Sequence, residues 1–265
     1  SVGLGVMGFH SFLQGKSVPF ESAMAKVWNK KIFTQIHEQV GVASVKLAEE
    51  RGACLDAEEC GIKERFSYKT AIAPTASISI IAGNSSPGIE PYAANSYTQK
   101  TLTGSFTVRN KHLAALLETK GKNNEETWSS ISTHEGSVQH LDFLNEHEKL
   151  VFKTAPEVDQ KWLIELCADR TPFIDQAQSM NLFLPGDVHK KELHRLHFDA
   201  WKKGMKSLYY CRSSSIQRAE KVSHTVERDN IEAISKDAKE AANDDGLDNT
   251  PAVESAQYEE CLACQ

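Results

Sequence analysis

The chain has 265 residues, of which 40% are apolar and 25% charged, so it is long enough to bury a sizeable globular core. Its net charge of −6 is uneven: residues 213–265 hold twelve acidic and five basic side chains (5 − 12 = −7), which leaves −6 − (−7) = +1 for residues 1–212. A nearly neutral body without a basic stripe argues against nucleic acid as a partner. The lack of an apolar run of about 18 residues argues against a membrane span.

The first residues, SVGLGVMGF, begin without a Met, so we expect a piece of a longer protein or one half of a split one. Gly3, Gly5 and Gly8 match the GxGxxG pattern, but no strand precedes them and no acidic residue follows about 20 positions later. We therefore interpret them as glycines for close helix packing rather than as a dinucleotide site. Six cysteines at irregular spacing, without a secretion signal, favour a reducing cytoplasm.

The first half of the chain predicts one long helix and one strand. Residues 26–51 carry apolar side chains at near-helical spacing, and Gly52 ends the pattern. A strand-like segment over 69–73 leads to Pro74 and a turn rich in Thr and Ser. Residues 107–140 mix charge, Gly and Asn, which predicts a surface excursion ending in a helix.

The second half alternates helices and short apolar strands. Residues 156–170 predict a helix, and MNLFLP predicts a short buried strand closed by Pro185. Residues 189–203 predict another helix, stopped by Gly204, and MKSLYYCR predicts a further strand. This alternation is typical of an α/β protein with a parallel sheet. We predict a body over 1–212 and a flexible acidic tail over 213–265, with a possible short helix at 231–242.

One segment is a candidate anion site. Small hydroxyl residues follow Pro74 at the predicted start of a helix, where unpaired backbone N–H groups and the helix dipole favour a phosphate. An ordinary capped helix start explains the same spacing, so both interpretations stay open.

Two residue pairs suggest redox chemistry. Tyr209 and Tyr210 can pass an electron and a proton, provided that their rings lie close together, or they can simply be strand residues that point to opposite faces. Cys261 and Cys264 form a CxxC without a second CxxC or a nearby His, which favours thiol–disulfide exchange over zinc, with incidental tail cysteines as the alternative.

The other cysteines and a histidine cluster suggest no site. We interpret the cluster as the solvated face of a Lys-rich helix, and the cysteines as core or surface thiols. The histidines are His189, His194 and His197; the cysteines are Cys54, Cys60, Cys167 and Cys211.

Several segments together resemble one family. GLGVMGF, TAIAPTASISIIAGNSSPGIEP, FIDQAQSMNLFLP and KSLYYCRSSSIQRAEK occur in this order over about residues 1–220, and a terminal CxxC follows. They are similar to the C-terminal part of the large (alpha) subunit of class I ribonucleotide reductase, with a character that suggests a phage or marine bacterium. The resemblance implies the second five-stranded half of a ten-stranded α/β barrel plus a flexible C-terminal tail.

The resemblance also implies roles for the candidate residues. Tyr209 and Tyr210 would relay a radical from the small (beta) subunit, which holds the metal-radical cofactor. Cys261 and Cys264 would reduce the active-site disulfide and be reduced in turn by thioredoxin or glutaredoxin. The diphosphate of a ribonucleoside diphosphate would be held by Pro74, Thr75, Ala76, Ser77, Ile78 and Ser79. Ala76 departs from members with a carboxylate at that position.

Other family parts are absent from this sequence. An N-terminal half would contain the loop with the thiyl cysteine, the active-site cysteine pair and the regions that bind ATP and dNTP effectors. We therefore expect this chain to bind no cofactor and to be inactive alone. Two alternatives remain. A cobalamin-dependent reductase fragment shares the barrel, but the tyrosine pair argues against it. A non-catalytic remnant or assembly module would have no need for Tyr209, Tyr210, Cys261 or Cys264.

Overall fold

The structure, a computed structural model, describes residues 1–101 and 104–213. The predicted tail from residue 214 onward lies outside the described residues, and so do Cys261, Cys264 and the possible helix at 231–242. None of the helices in the described ranges combines the length and apolar content that crossing a bilayer requires.

Helices dominate the described part of the chain. They are α1 (Phe9–Gly15), α2 (Ala23–Arg51), α3 (Leu55–Glu59), α4 (Ala76–Ile81), α5 (Lys111–Thr119), α6 (Glu125–Thr133), α7 (Glu146–Val151), α8 (Gln160–Arg170) and α9 (Lys190–Lys202), with a 3-10 turn at Thr171–Phe173. The strands are β1 (Ser96–Thr101), β2 (Gly104–Arg109), β3 (Leu182–Leu184) and β4 (Cys211–Ser213).

Extended segments lie side by side in a parallel layer. The Leu4 N–H donates to Lys69 O at 2.9 Å, and Leu4 and Thr70 form a parallel bridge. A second parallel bridge joins Ile72 to Gln178, and β3 pairs with β4 in parallel. The predicted α/β class with parallel pairing is therefore confirmed. The regular ladders are shorter than a parallel sheet predicts, because the Leu4–Thr70 and Ile72–Gln178 pairs are single bridges.

The main core lies between this layer and helices α1, α2 and α8. Ser22 accepts a hydrogen bond from the Ala25 N–H, so α2 begins at Ala23, three residues before the predicted start. The predicted apolar face of α2 was partly wrong, since Val27 is 58% exposed. Asn29 is buried there because its side-chain amide donates to Leu166 O at 2.8 Å. The large buried members of this core include Phe9, Leu13, Phe20, Phe33, Ile164, Leu166 and Met180.

The prediction of a surface excursion over 107–140 was wrong, whereas the helix expected towards its end is present as α6. This region forms β2, α5 and α6, and it contributes to a second buried cluster whose members include Leu113, Leu117, Trp128 and Ile131. The antiparallel β1–β2 hairpin, with Ser96 opposite Arg109, was not predicted either. Asn caps begin both helices, which explains why the polar sequence looked like a loop: the polar residues lie at helix starts.

The first glycines of the chain allow close backbone approach. A Cβ added at Gly5 would lie 2.6 Å from Ala71 O in the neighbouring extended segment. Gly8 precedes α1 in the left-handed region at φ +83°. The expectation of close packing holds, but at Gly5 the partner is an extended segment rather than a helix.

Replacing Gly5 with Ala should lower the free energy of unfolding by about 1–3 kcal/mol, because the methyl group would push the first segment away from Ala71. The matched control is Gly41→Ala in α2, where an added Cβ meets nothing within 4 Å. That change should raise stability by up to about 1 kcal/mol. Urea unfolding of both variants tests this, and equal effects would contradict the close approach.

Candidate functional site

The hydroxyl-rich segment lies where an extended segment ends and α4 begins. Thr75 is the N-cap residue of α4, at φ 52° and ψ 29°. This left-handed conformation is unfavourable for a β-branched residue and costs on the order of 1–3 kcal/mol. The Thr75 side chain does not cap α4; its Oγ1 instead accepts a hydrogen bond from the Gly88 N–H at 2.8 Å. The strained turn is therefore held by the loop that follows α4.

The six predicted phosphate-binding residues span the start of α4: Pro74 and Thr75 precede the helix, and Ala76, Ser77, Ile78 and Ser79 belong to it. Pro74, Thr75 and Ala76 are half-buried, and Ser77 and Ile78 are exposed. Ser79 is only 2% exposed, and its hydroxyl donates to Ala76 O at 2.8 Å. The side chain of Ser79 therefore faces inward, and any contact with an anion falls to the residues before it.

A buried polar network supports the loop after α4. The Tyr92 hydroxyl donates to Asn84 O at 2.7 Å and lies 2.5 Å from Ser11 Oγ. The Tyr92 N–H donates to His10 Nδ1 at 3.0 Å. Burial lowers the pKa of His10 to about 3, so its imidazole is neutral and can accept this bond at neutral pH. Sequence reasoning missed the network, because its members come from separate segments without a shared spacing.

The two adjacent tyrosines approach each other closely. Their ring centroids are 4.1 Å apart, with the ring planes at 47°, and each side chain is 41% exposed. Both residues precede β4 and pair with the β3 segment: the Tyr209 N–H donates to Met180 O, and Tyr210 O accepts from the Leu182 N–H. The two rings therefore lie close together, which strand alternation alone would not bring about.

Glu90 and Asn181 connect the loop after α4 with the tyrosine pair. Glu90 accepts hydrogen bonds from the Asn181 backbone N–H at 2.5 Å and from its side-chain amide at 3.1 Å. The Tyr210 N–H donates to Asn181 Oδ1 at 3.2 Å. Burial raises the pKa of Glu90, although the hydrogen bonds from Asn181 oppose that rise. Apart from the presence of Glu90 in GIEP, no sequence pattern indicates this contact.

The remaining cysteines and histidines form no site in the described ranges. Cys54 is half-buried, Cys60 and Cys211 are exposed, and burial raises the pKa of Cys167 to about 11. His189 caps α9 by accepting from the Lys191 N–H, while His194 and His197 are exposed. Within residues 1–101 and 104–213, no group of three His, Cys, Asp or Glu side chains is arranged to hold a metal ion.

These features define an α/β protein with a parallel layer, a hydroxyl-rich turn at the end of one extended segment and a tyrosine pair two segments away. The model of the family described as ribonucleotide reductase, barrel domain, matches residues 1–60 and 56–211. The chain belongs to this family.

Named relatives agree with the family. The chain is 47% identical over 247 residues to the ribonucleoside-diphosphate reductase large subunit of Invertebrate iridescent virus 6, covering 91% of this chain and 26% of the viral protein. It is 48% identical over 230 residues to the subunit of the same name from Invertebrate iridescent virus 3, covering 85% and 36%. The chain thus spans about a quarter to a third of these relatives.

A solved structure is similar as well. The Actinobacillus ureae class Id ribonucleotide reductase alpha subunit matches with a TM-score of 0.73 and 38% identity, over 80% of this chain and 39% of that chain. The α/β fold of the family is therefore shown. The second half of a ten-stranded barrel, and an origin in a phage or marine bacterium, stay predictions.

Proposed function

We propose that this chain is the C-terminal part of a ribonucleoside-diphosphate reductase large subunit and acts with the N-terminal part of that subunit. The reaction converts a ribonucleoside diphosphate and a dithiol into a deoxyribonucleoside diphosphate, a disulfide and water. The observation that carries the proposal is the proximity of the Tyr209 and Tyr210 rings, at 4.1 Å, in a chain of this family. We place the effector sites and the thiyl cysteine in the N-terminal part, and the whole enzyme in the cytoplasm.

The substrate diphosphate binds at the turn formed by Pro74, Thr75, Ala76, Ser77 and Ile78, and Ser79 supports that turn from inside through its hydroxyl bond to Ala76 O. The first backbone N–H groups of a helix lack intrahelical partners and favour anions. The bond from Gly88 to the Thr75 hydroxyl supports this role, since it holds the turn in a conformation that Thr75 would otherwise avoid. Ile78 and Ile81 beside the turn are 60% and 85% exposed, which suits a site that another part of the subunit covers.

Thr75→Val in the complete large subunit should weaken substrate binding about fivefold, because valine keeps the shape but removes the acceptor of the Gly88 N–H, a bond worth about 1 kcal/mol. Thr75→Ser keeps the hydroxyl and serves as the control. Equilibrium binding of CDP measures the effect. Wild-type affinity in the valine variant would contradict the role of this bond in shaping the site.

Tyr209 and Tyr210 relay an oxidising equivalent from the small subunit to the thiyl cysteine in the N-terminal part. Each transfer moves one electron, and the phenol that is oxidised releases its O–H proton to an acceptor. The metal-radical cofactor that starts the relay belongs to the small subunit. A cobalamin-dependent enzyme needs no such entry route, so the tyrosine pair favours class I.

Tyr210→Phe should lower turnover about 100-fold or more, because the ring stays in place but has no O–H to oxidise. The affinity for CDP should stay unchanged. Tyr68→Phe is the control, since that tyrosine is 49% exposed and contacts the neighbouring segment through its backbone carbonyl. Turnover is measured with the small subunit and thioredoxin present. Full activity of Tyr210→Phe would refute the relay.

Cys261 and Cys264 reduce the active-site disulfide by thiol–disulfide exchange and are then reduced by thioredoxin or glutaredoxin. This step restores the dithiol that each turnover consumes. The spacing of the pair permits an internal disulfide, which the exchange requires.

Replacing both Cys261 and Cys264 with Ser should spare the first turnover and abolish the following ones when thioredoxin is the reductant. A small dithiol that reaches the active-site disulfide directly should restore multiple turnovers. Rapid-quench measurement of product per subunit separates the two phases. Wild-type rates with thioredoxin would rule out the shuttle.

A further inference from the structure

The parallel pairing between two segments of the layer stops at Pro74. Ile72 exchanges bonds with the segment after α8, through its N–H to Ala177 O at 3.2 Å and its O from the Ser179 N–H at 2.9 Å. Continued in the same register, the ladder would pair Pro74 O with the Asn181 N–H. Pro74 keeps its carbonyl oxygen, but the chain turns into α4 directly after Thr75, and the Asn181 N–H bonds to Glu90 instead. The Asn181 N–H therefore loses its expected partner.

Glu90 supplies the acceptor that the Asn181 N–H does not find in the neighbouring segment. Its carboxylate accepts the Asn181 N–H at 2.5 Å and the Asn181 side-chain amide at 3.1 Å. Glu90 is 6% exposed and Asn181 is 5% exposed, so both groups depend on protein partners rather than on water. A charged acceptor makes these bonds stronger than bonds between neutral groups. The two bonds fix both the backbone and the side-chain amide of Asn181.

Asn181 in turn holds the tyrosine pair. Because its side-chain N–H₂ is bound to Glu90, its Oδ1 is directed to the other side, where it accepts the Tyr210 N–H at 3.2 Å. The backbone on either side of Asn181 also contacts the pair: Met180 O accepts from the Tyr209 N–H, and the Leu182 N–H donates to Tyr210 O. The position of Tyr210 is thus determined by a residue whose own orientation Glu90 sets.

We propose that Glu90 is a positioning residue for radical transfer: it orients Asn181, and through Asn181 it holds Tyr210 at the distance from Tyr209 that the relay needs. The inference rests on the proposed relay function of the pair. Glu90 acts through Asn181, whose backbone N–H and side-chain amide it binds. Small displacements matter here, because a shift of about 1 Å in reacting groups can cost up to about 100-fold in rate.

The layer offers a matched control at its other end. Asp175 Oδ2 accepts hydrogen bonds from the backbone N–H groups of Lys69 at 2.7 Å and Thr70 at 3.1 Å. Like Glu90, it is therefore a carboxylate that binds backbone donors of the parallel layer. It lies where the ladder begins, whereas Glu90 lies where the ladder ends beside the tyrosines. Loss of either carboxylate should loosen the layer, but only loss of Glu90 should disturb the relay.

The test measures kcat and KM for CDP in the complete large subunit with its small subunit and thioredoxin. The variants are Glu90→Ala, Glu90→Gln, Asn181→Ala, the Glu90→Ala/Asn181→Ala double variant, Asp175→Ala and Tyr210→Phe. Glu90→Ala should lower kcat roughly 10- to 100-fold with KM within about twofold of wild type. Asp175→Ala should leave kcat within about twofold. Glu90→Gln keeps one carbonyl acceptor but sets an amide opposite the Asn181 amide, so its kcat should be intermediate.

The double variant distinguishes positioning from independent effects. If Glu90 acts through Asn181, the double variant should be no slower than the slower single variant, and additive losses would overturn the inference. Equal kcat values in Glu90→Ala and Asp175→Ala would also overturn the inference. If the Glu90→Ala variant does not fold, Glu90→Gln takes its place in this comparison. Full activity of Tyr210→Phe would instead refute the proposed relay itself. An inactive Tyr210→Phe variant together with a fully active Glu90 variant would leave the relay intact and refute only the positioning role of Glu90.

Discussion

The pairing of the segment after α8 with both of its neighbours is the constraint on which the site depends. On one side it bonds to Ile72, just before the chain turns into α4, and on the other side it bonds to Tyr209 and Tyr210. The hydroxyl-rich turn and the tyrosine pair are therefore two positions on one hydrogen-bonded frame. Moving the central segment would displace both, although they are more than a hundred residues apart in the chain.

The site lies where that pairing ends. Where Pro74 interrupts the ladder, the backbone donor of Asn181 needs a new acceptor, and the loop after α4 supplies it through Glu90. Two residues earlier, the same loop gives the Gly88 N–H to the Thr75 hydroxyl. One short loop thus contacts both the strained turn at Thr75 and Asn181, which binds Tyr210. Its own position is held by the buried bonds of Tyr92 to Asn84, Ser11 and His10.

Local patterns predicted the elements but not these contacts. Apolar runs and glycine stops indicated α9 and the strand that Pro185 closes, and the alternation of elements gave the α/β class. Helix α5 was missed, and α6 was expected only as the end of a surface excursion, because their Asn caps and charged first turns resemble loop sequence. Glu90 and His10 were missed for a different reason: each acts by being buried against a distant segment, and a single sequence carries no signal for that. The close approach of Tyr209 and Tyr210 does not follow from the sequence, since alternation along a strand predicts opposite faces.

The central claim is that this chain supplies the substrate turn and the tyrosine pair of a reductase. The most direct measurement is CDP reduction by this chain mixed with the N-terminal part of the large subunit, the small subunit and thioredoxin, with each component omitted in turn. Turnover is expected only in the full mixture. Turnover without this chain, or no turnover despite a stable complex of the two large-subunit parts with the small subunit, would contradict the central claim.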